Sequence, residues 1–438
     1  MKRGIIFLVL IVSLSAGCRK ESGDYYMTNL LAAEYFNEIE AYCNAEVAQL
    51  WGKNLYGPIM IVNPSTREIY ANMPDEEGLL KPRDGIYVGT FPRERIMSNS
   101  SPVVYGATMF GMVQMWSEKY ESPYRIKSSA VHALFHCFQE GNSIDFRGYD
   151  TSHLKERTAR MYVKLEWKAL QRAIRTSGET RKQAIRDALI FRSARREMYP
   201  RYIEYENHFE NYEGLTTFTY TLICNLTHDE YVRKLLNYYE RVYGRMSYTL
   251  SWGFLSGALY GHLLYEADFD FTSLLEKDFD LGALTGERYE IDLPEISRDV
   301  AGSLAINYDI DAINREEQEK ESIVMERLHR KVSKFVDKPV IFIDLESPYF
   351  SYEPEDMELA DSLGIIYNTL RVTDNWGRIS VDDGGCLVSP NLDFLRVPAK
   401  NIKIEKNHIT GDGWHLVLNN SWELGTLNDN YIVKKLIP

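Results

Sequence analysis

The chain reads as an α+β protein, with a mainly helical region behind a small N-terminal sheet and then a C-terminal all-β region. Three observations predict this. Between Gly57 and Tyr105 the apolar residues repeat with period two. Residues 123 to 285 carry helical spacing almost throughout. From Lys338 onward short apolar runs alternate with Gly, Asp and Asn turns. A length of 438 residues is more than one ordinary core accommodates, so several domains are expected.

The elements follow in order. Met1-Lys2-Arg3 is a basic start and Ile5 to Leu14 an apolar run, too short to span a bilayer, which takes ~20 residues. The run ends in Leu14-Ser15-Ala16-Gly17-Cys18. This resembles a bacterial lipobox, in which cleavage before Cys18 frees its thiol and amine for acyl chains; a plain secretory signal is the alternative. Residues 1–17 are thus a signal peptide and 18–26 a polar tether. Two or three acyl chains anchor a protein stably where one does not. The membrane is therefore an expected partner through Cys18, and a cell-envelope location, at the outer membrane, is expected. Phe36, Ile39, Cys43, Val47 and Leu50 then follow helical spacing. Ile59 to Val62 and Glu68 to Ala71 flank Asn63-Pro64-Ser65-Thr66 as a hairpin. Gly85 to Thr90 and Pro102 to Tyr105 read as strands. Leu154 to Ile174, Arg181 to Met198 and about Arg201 to Asn225 read as helices, with Pro200 stopping the second. Glu316 to Lys334 is charge-dense and reads as a solvated helix face. The domains expected are 27–335 and a β domain over 336–438, with strands at Val340 to Ile343, Ile365 to Val372, Arg378 to Val381, Ile402 to Ile404, Trp414 to Leu418 and Tyr431 to Val433.

Composition narrows the function. The formal charge is −13, and no basic cluster is long enough to track a phosphate backbone, which argues against nucleic acid. Beyond Cys18, Cys43, Cys137, Cys224 and Cys386 are scattered without C-x-x-C spacing, so they read as small apolar residues rather than a disulfide framework.

The most informative stretch is Val131-His132-Ala133-Leu134-Phe135-His136-Cys137-Phe138-Gln139. It has the form H-E-x-x-H with Ala133 in place of the glutamate. Two histidines four apart on a helix lie about 40° apart in azimuth and ~6 Å apart along the axis, so both imidazoles can reach one zinc at ~2.0 Å. Nine histidines in this length give roughly 0.2 such pairs by chance, so the pair alone also admits two core histidines. Gln139 shares their stripe and either lines the cleft or caps a buried turn. Cys137 is rotated about 100° from His136 and does not join the set.

Downstream, Asn211-Tyr212-Glu213-Gly214-Leu215 resembles the segment that supplies the third zinc ligand in gluzincins. With it the chain resembles a group of bacterial gluzincin-like lipoproteins related to metallopeptidases. The matching residues are Leu55 to Pro58, His132 to Gln139, Leu165 to Leu170, Phe191 to Arg196, Glu213 to Leu215, Ser256 to Gly261 and Leu370 to Gly377. The resemblance implies a zincin-like helical domain, with His132, His136 and Glu213 as ligands of a zinc ion that is either kept or lost. It also implies Tyr260 as a candidate oxyanion donor, with a core tyrosine as the alternative. The alternative reading of Glu213 is a helix-face carboxylate, since Glu206 and Glu210 share its stripe.

The departure at Ala133 removes the general base, a loss worth roughly 10²- to 10⁴-fold in rate. Three functions follow: a zinc-retaining pseudopeptidase that binds a peptide or protein; a working zinc hydrolase whose base is relocated, with Glu204, Glu206 and Glu210 as candidates; or a scaffold that binds through its β domain without metal. Under the first, Ala133→Glu is expected to create or raise proteolysis.

Overall fold

A computed structural model describes residues 27–93, 95, 100–115, 123–144, 146–225, 227–275, 279–337, 339–353 and 356–436. The signal peptide, Cys18 and the tether lie outside the described residues.

The molecule is α+β, as its sequence pattern predicts. Helix α1 (Asn29–Asn44) begins where Thr28 Oγ1 accepts the Leu31 N–H at 3.1 Å, a side-chain cap. The small sheet follows as β1 (Ile59–Val62), β2 (Glu68–Ala71), β3 (Lys81–Arg83), β4 (Ile86–Thr90), β5 (Ser101–Tyr105) and β6 (Thr108–Gln114). The expected hairpin is β1–β2, in register Met60↔Ala71. Asn63 Oδ1 closes its turn by accepting from Ser65 N–H and Thr66 N–H at 2.9 and 3.1 Å. The spatial order is β3-β4-β2-β1-β6-β5, with β1 and β6 parallel.

The helical region is α2 (Pro123–Gly141), α3 (Arg157–Ile174), α4 (Gly178–Met198), α5 (Ile203–Phe209), α6 (Leu215–Ile223), α7 (His228–Tyr243), α8 (Trp252–Glu266), α9 (Leu281–Arg288), α10 (Ser297–Leu304) and α11 (Ile310–Val336). The motif helix α2 lies between β5 and β6 on one side and α6 on another. One apolar core runs through α1, β1, α2 and the helices up to Ile313.

Strands β7 (Val340–Asp344), β8 (Tyr349–Ser351), β9 (Met357–Leu359), β10 (Ile365–Tyr367), β11 (Leu370–Asp374), β12 (Gly377–Val381), β13 (Cys386–Val388), β14 (Phe394–Pro398), β15 (Lys403–Glu405), β16 (His408–Gly411), β17 (Trp414–Leu418), β18 (Trp422–Leu427) and β19 (Asn430–Lys435) follow. They form two sheets, β18-β19-β7-β14-β13-β10-β9 and β15-β16-β17-β12-β11-β8, around a separate apolar core from Ile341 to Val433. The expected strand from Ile365 to Val372 is two strands in different sheets, split at Asn368-Thr369.

One sequence expectation is corrected, and one helix face is new. The face of α11 is not simply solvated: Glu317 is buried, and its carboxylate meets Arg160 Nε at 2.7 Å and Lys164 Nζ at 2.9 Å. The basic side of α4 faces inward, because acidic partners on α3, α5 and the π turn at Glu210 neutralise Arg192, Arg195 and Arg196.

Candidate metal centre

The structure brings His132, His136 and Glu213 together. Their Nε2, Nε2 and Oε2 atoms are the corners of a triangle with sides of 2.9, 3.4 and 3.8 Å. Two helical elements set it. On α2 the four-residue spacing brings the imidazoles edge to face, with ring centroids 4.6 Å apart. Glu213 sits in a π turn, Glu210–Gly214, between α5 and α6. In a regular helix it would lie about 60° from Glu210. The wider turn rotates it further from the Glu206/Glu210 stripe, towards α2. Gly214 permits this: a Cβ there would come within 2.5 Å of Gly253 O and Gly257 Cα on α8. Only hydrogen lets α8 lie so close.

Behind the ligands a chain of hydrogen bonds sets the tautomer. Gln139 Nε2 donates to Asn211 O and Tyr212 O, both at 3.0 Å, so its Oε1 turns to His136 Nδ1 at 2.8 Å. That nitrogen therefore carries a proton, which makes Nε2 the atom that can ligate. Gln139, 2% exposed, thus clamps α2 to the π turn from below and does not line a cleft. Opposite His136, Tyr149 O–H donates to Glu213 Oε1 at 3.2 Å, while Glu213 Oε2 is buried and accepts no hydrogen bond. Burial pushes the Glu213 carboxyl up, but the two imidazoles and Tyr149 outweigh it and hold it below the usual range. Burial, with His136 alongside, lowers His132 to about 3, so its ring is neutral.

The three atoms suit a divalent cation. His136 Nε2 and Glu213 Oε2 face one another at 3.4 Å, a pair that either a shared proton or a divalent cation can join. The point equidistant from the three corners lies about 2.0 Å from each, the Zn–N and Zn–O bond length. Among the described residues this is the one group of three such side chains so placed. Two histidines and a carboxylate are the donor set of a site that keeps a position open.

Ala133 is fully buried. Strand β6 presses on it: a Cβ on Gly111 would lie 3.1 Å from Ala133 C and 3.3 Å from Ala133 Cβ. Position 133 therefore packs against the sheet as well as lacking a carboxylate. The candidate replacements are accounted for. Glu210 pairs with Arg192 through both oxygens, at 2.8 and 2.5 Å. Glu206 accepts from Arg195, from Arg196 Nε at 2.9 Å, and lies 2.9 Å from His153 Nε2. Glu204 is exposed. Tyr260 is fully buried in the same network and donates to Glu166 Oε1 at 2.7 Å, so its hydroxyl serves that carboxylate. Cys43, Cys224 and Cys386 are buried and Cys137 partly so, all as free thiols.

Sequence reasoning missed Tyr149, the arginine–carboxylate network and the π turn. Only the glycines Gly214, Gly253 and Gly257 signalled a close helix approach there. Comparison with family models, curated proteins and solved structures returns no match, so the functional reading rests on this geometry. Among the described residues no helix is long and apolar enough to cross a membrane.

Proposed function

We propose that this protein is a metal-retaining pseudopeptidase: a zinc-peptidase-like site without its base, used to bind a peptide or protein in the bacterial cell envelope, to which the chain is anchored through Cys18. The observation that carries the reading is the convergence of His132, His136 and Glu213, with Glu213 Oε2 buried and facing both imidazoles. A zinc ion there would be held by these three residues. When bound it supplies Lewis acidity and a position for one further ligand. The chain's own residues position the donors: Gln139 fixes the His136 tautomer and Tyr149 turns Glu213.

The lack of a base at 133, and the engagement of Glu206 and Glu210 by arginines, favour binding over hydrolysis. The zincin likeness of the helical domain and the lipid anchor are part of the same proposal and rest on sequence motifs.

Metal analysis of untagged protein tests the reading. We expect close to one zinc per chain, lost in both His136→Ala and Glu213→Gln. Protein that is folded and metal-free at saturating zinc refutes it in favour of a scaffold. Zinc-dependent cleavage of a peptide library by the wild-type chain refutes the pseudopeptidase in favour of the hydrolase.

A further inference from the structure

A groove of about 1020 Å³ lies away from the metal donors, none of which lines it. Its long wall is one stripe of α4. Lys182, Leu189, Ser193 and Glu197 recur there at intervals of seven and four residues and so share a face. The facing wall is α9, which seats against α4 at Gly286, where a Cβ would lie 3.2 Å from Leu189 Cδ1. Gly282, Ala283 and Gly286 line the groove on that side, so this wall puts almost no side-chain bulk into the space. The segment after α9 completes the lining with Ile291, Asp292 and Leu293. Arg186 Nε donates to Asp292 O at 3.2 Å, which ties that segment to α4.

Length and surface chemistry select what fits. Lys182 and Glu197 are 15 residues apart on α4 (197 − 182), about 22 Å of helix at about 1.5 Å per residue. An extended peptide rises about 3.3 Å per residue, so about six or seven residues cover the groove from end to end. A single ion or a small acid fills only part of it. Leu189, Ile203, Ile291 and Leu293 give the groove an apolar floor. Leu293 is 44% exposed and Ile296, three residues on, 50% exposed, so apolar surface continues past the end of the groove.

The charge at the rim is one-sided. Arg192 and Arg196 also line the groove, but both are buried and already paired, Arg192 with Glu210 and Asp280, Arg196 with Glu206 and Asp280. What remains is acidic. Glu197, Glu287, Glu290 and Asp292 are exposed, against Arg186 and Lys182, the latter 3.9 Å from Glu290. Such a rim repels an anionic partner and draws in a cationic one.

Going beyond the metal reading, we propose that this groove docks an extended peptide segment in which basic and apolar side chains alternate. Alternate side chains of an extended chain point to opposite faces. The apolar ones rest on Leu189, Ile291 and Leu293, and the basic ones meet Glu287, Glu290 and Asp292 at the rim.

The test uses the full chain and fluorescence anisotropy with three labelled hexapeptides: lysine alternating with leucine, glutamate alternating with leucine, and hexalysine. The lysine–leucine peptide is expected to bind. The glutamate–leucine peptide should bind at least about tenfold more weakly, and so should hexalysine, which lacks the apolar anchors. Glu287→Lys with Glu290→Lys reverses two exposed rim positions and should exchange the preference between the first two peptides. Ala283→Trp fills the groove from an exposed position and should weaken the lysine–leucine peptide at least about tenfold. Circular dichroism confirms that both variants are folded. Binding of none of the peptides, a preference that charge reversal leaves in place, or binding that Ala283→Trp leaves unaltered overturns the proposal. A wild-type chain that sediments as a dimer and becomes monomeric in Ala283→Trp also overturns it, since the groove is then an interface between copies.

Discussion

Replacing Ala133 by glutamate restores the peptidase motif on paper, and the tertiary structure predicts that it fails. The position is fully buried. The backbone of β6 is so close that a single added carbon on Gly111 would meet Ala133 C at 3.1 Å. Glutamate brings a methylene and a carboxylate into that contact. Overpacking costs about 1–3 kcal/mol, and a buried carboxylate without a partner costs several more as an ion. A total near 4 kcal/mol is expected, which lowers Tm by about 10 °C in a helical region of this size. Differential scanning calorimetry at saturating zinc measures it, alongside peptide hydrolysis. We expect a lower Tm and no proteolysis. A variant with wild-type Tm, bound zinc and new peptidase activity would refute the reasoning, since it would mean that Ala133 borders an open cleft rather than the sheet.

Tyr149→Phe removes the bond that turns Glu213 while keeping the ring stacked on Phe209 at 3.8 Å; zinc affinity by competition with a chelator should fall about 10- to 100-fold with Tm of the apoprotein little changed. Arg195→Met leaves Glu166 and Glu206 short of a buried partner; urea unfolding should show a loss of about 3–5 kcal/mol, and Arg195→Lys should not recover it because it lacks the fork. Burial holds both His153 and His262 down at about 3 against 6.5 unfolded. Between those values the unfolded chain binds the extra protons, so stability is complete above pH 6.5 and falls as pH drops. The slope approaches about 1.4 kcal/mol per pH unit for each histidine. Urea midpoints at pH 7.5 and 5.5 check this, and His262→Phe should flatten the dependence.

Much of the layout was readable in the residues. The period-two runs from Ile59 to Ala71 are a hairpin because Asn63 can close its own turn. Pro200 ends α4 because it cannot continue the helix. Strand β13, which was missed, has three residues, all buried, too few for periodicity to stand out. The buried arginines of α4 were invisible for a different reason: a basic face looks alike whether water or carboxylates from other helices neutralise it.

By itself, the sequence determined that His132 and His136 share one face of a helix, and that no carboxylate stands between them, since both are consequences of local spacing. Only the tertiary structure decided that Glu213 reaches them and that β6 packs against Ala133. Each of these depends on where separate elements pack: a π turn admitted by Gly214 and a strand brought in by Gly111.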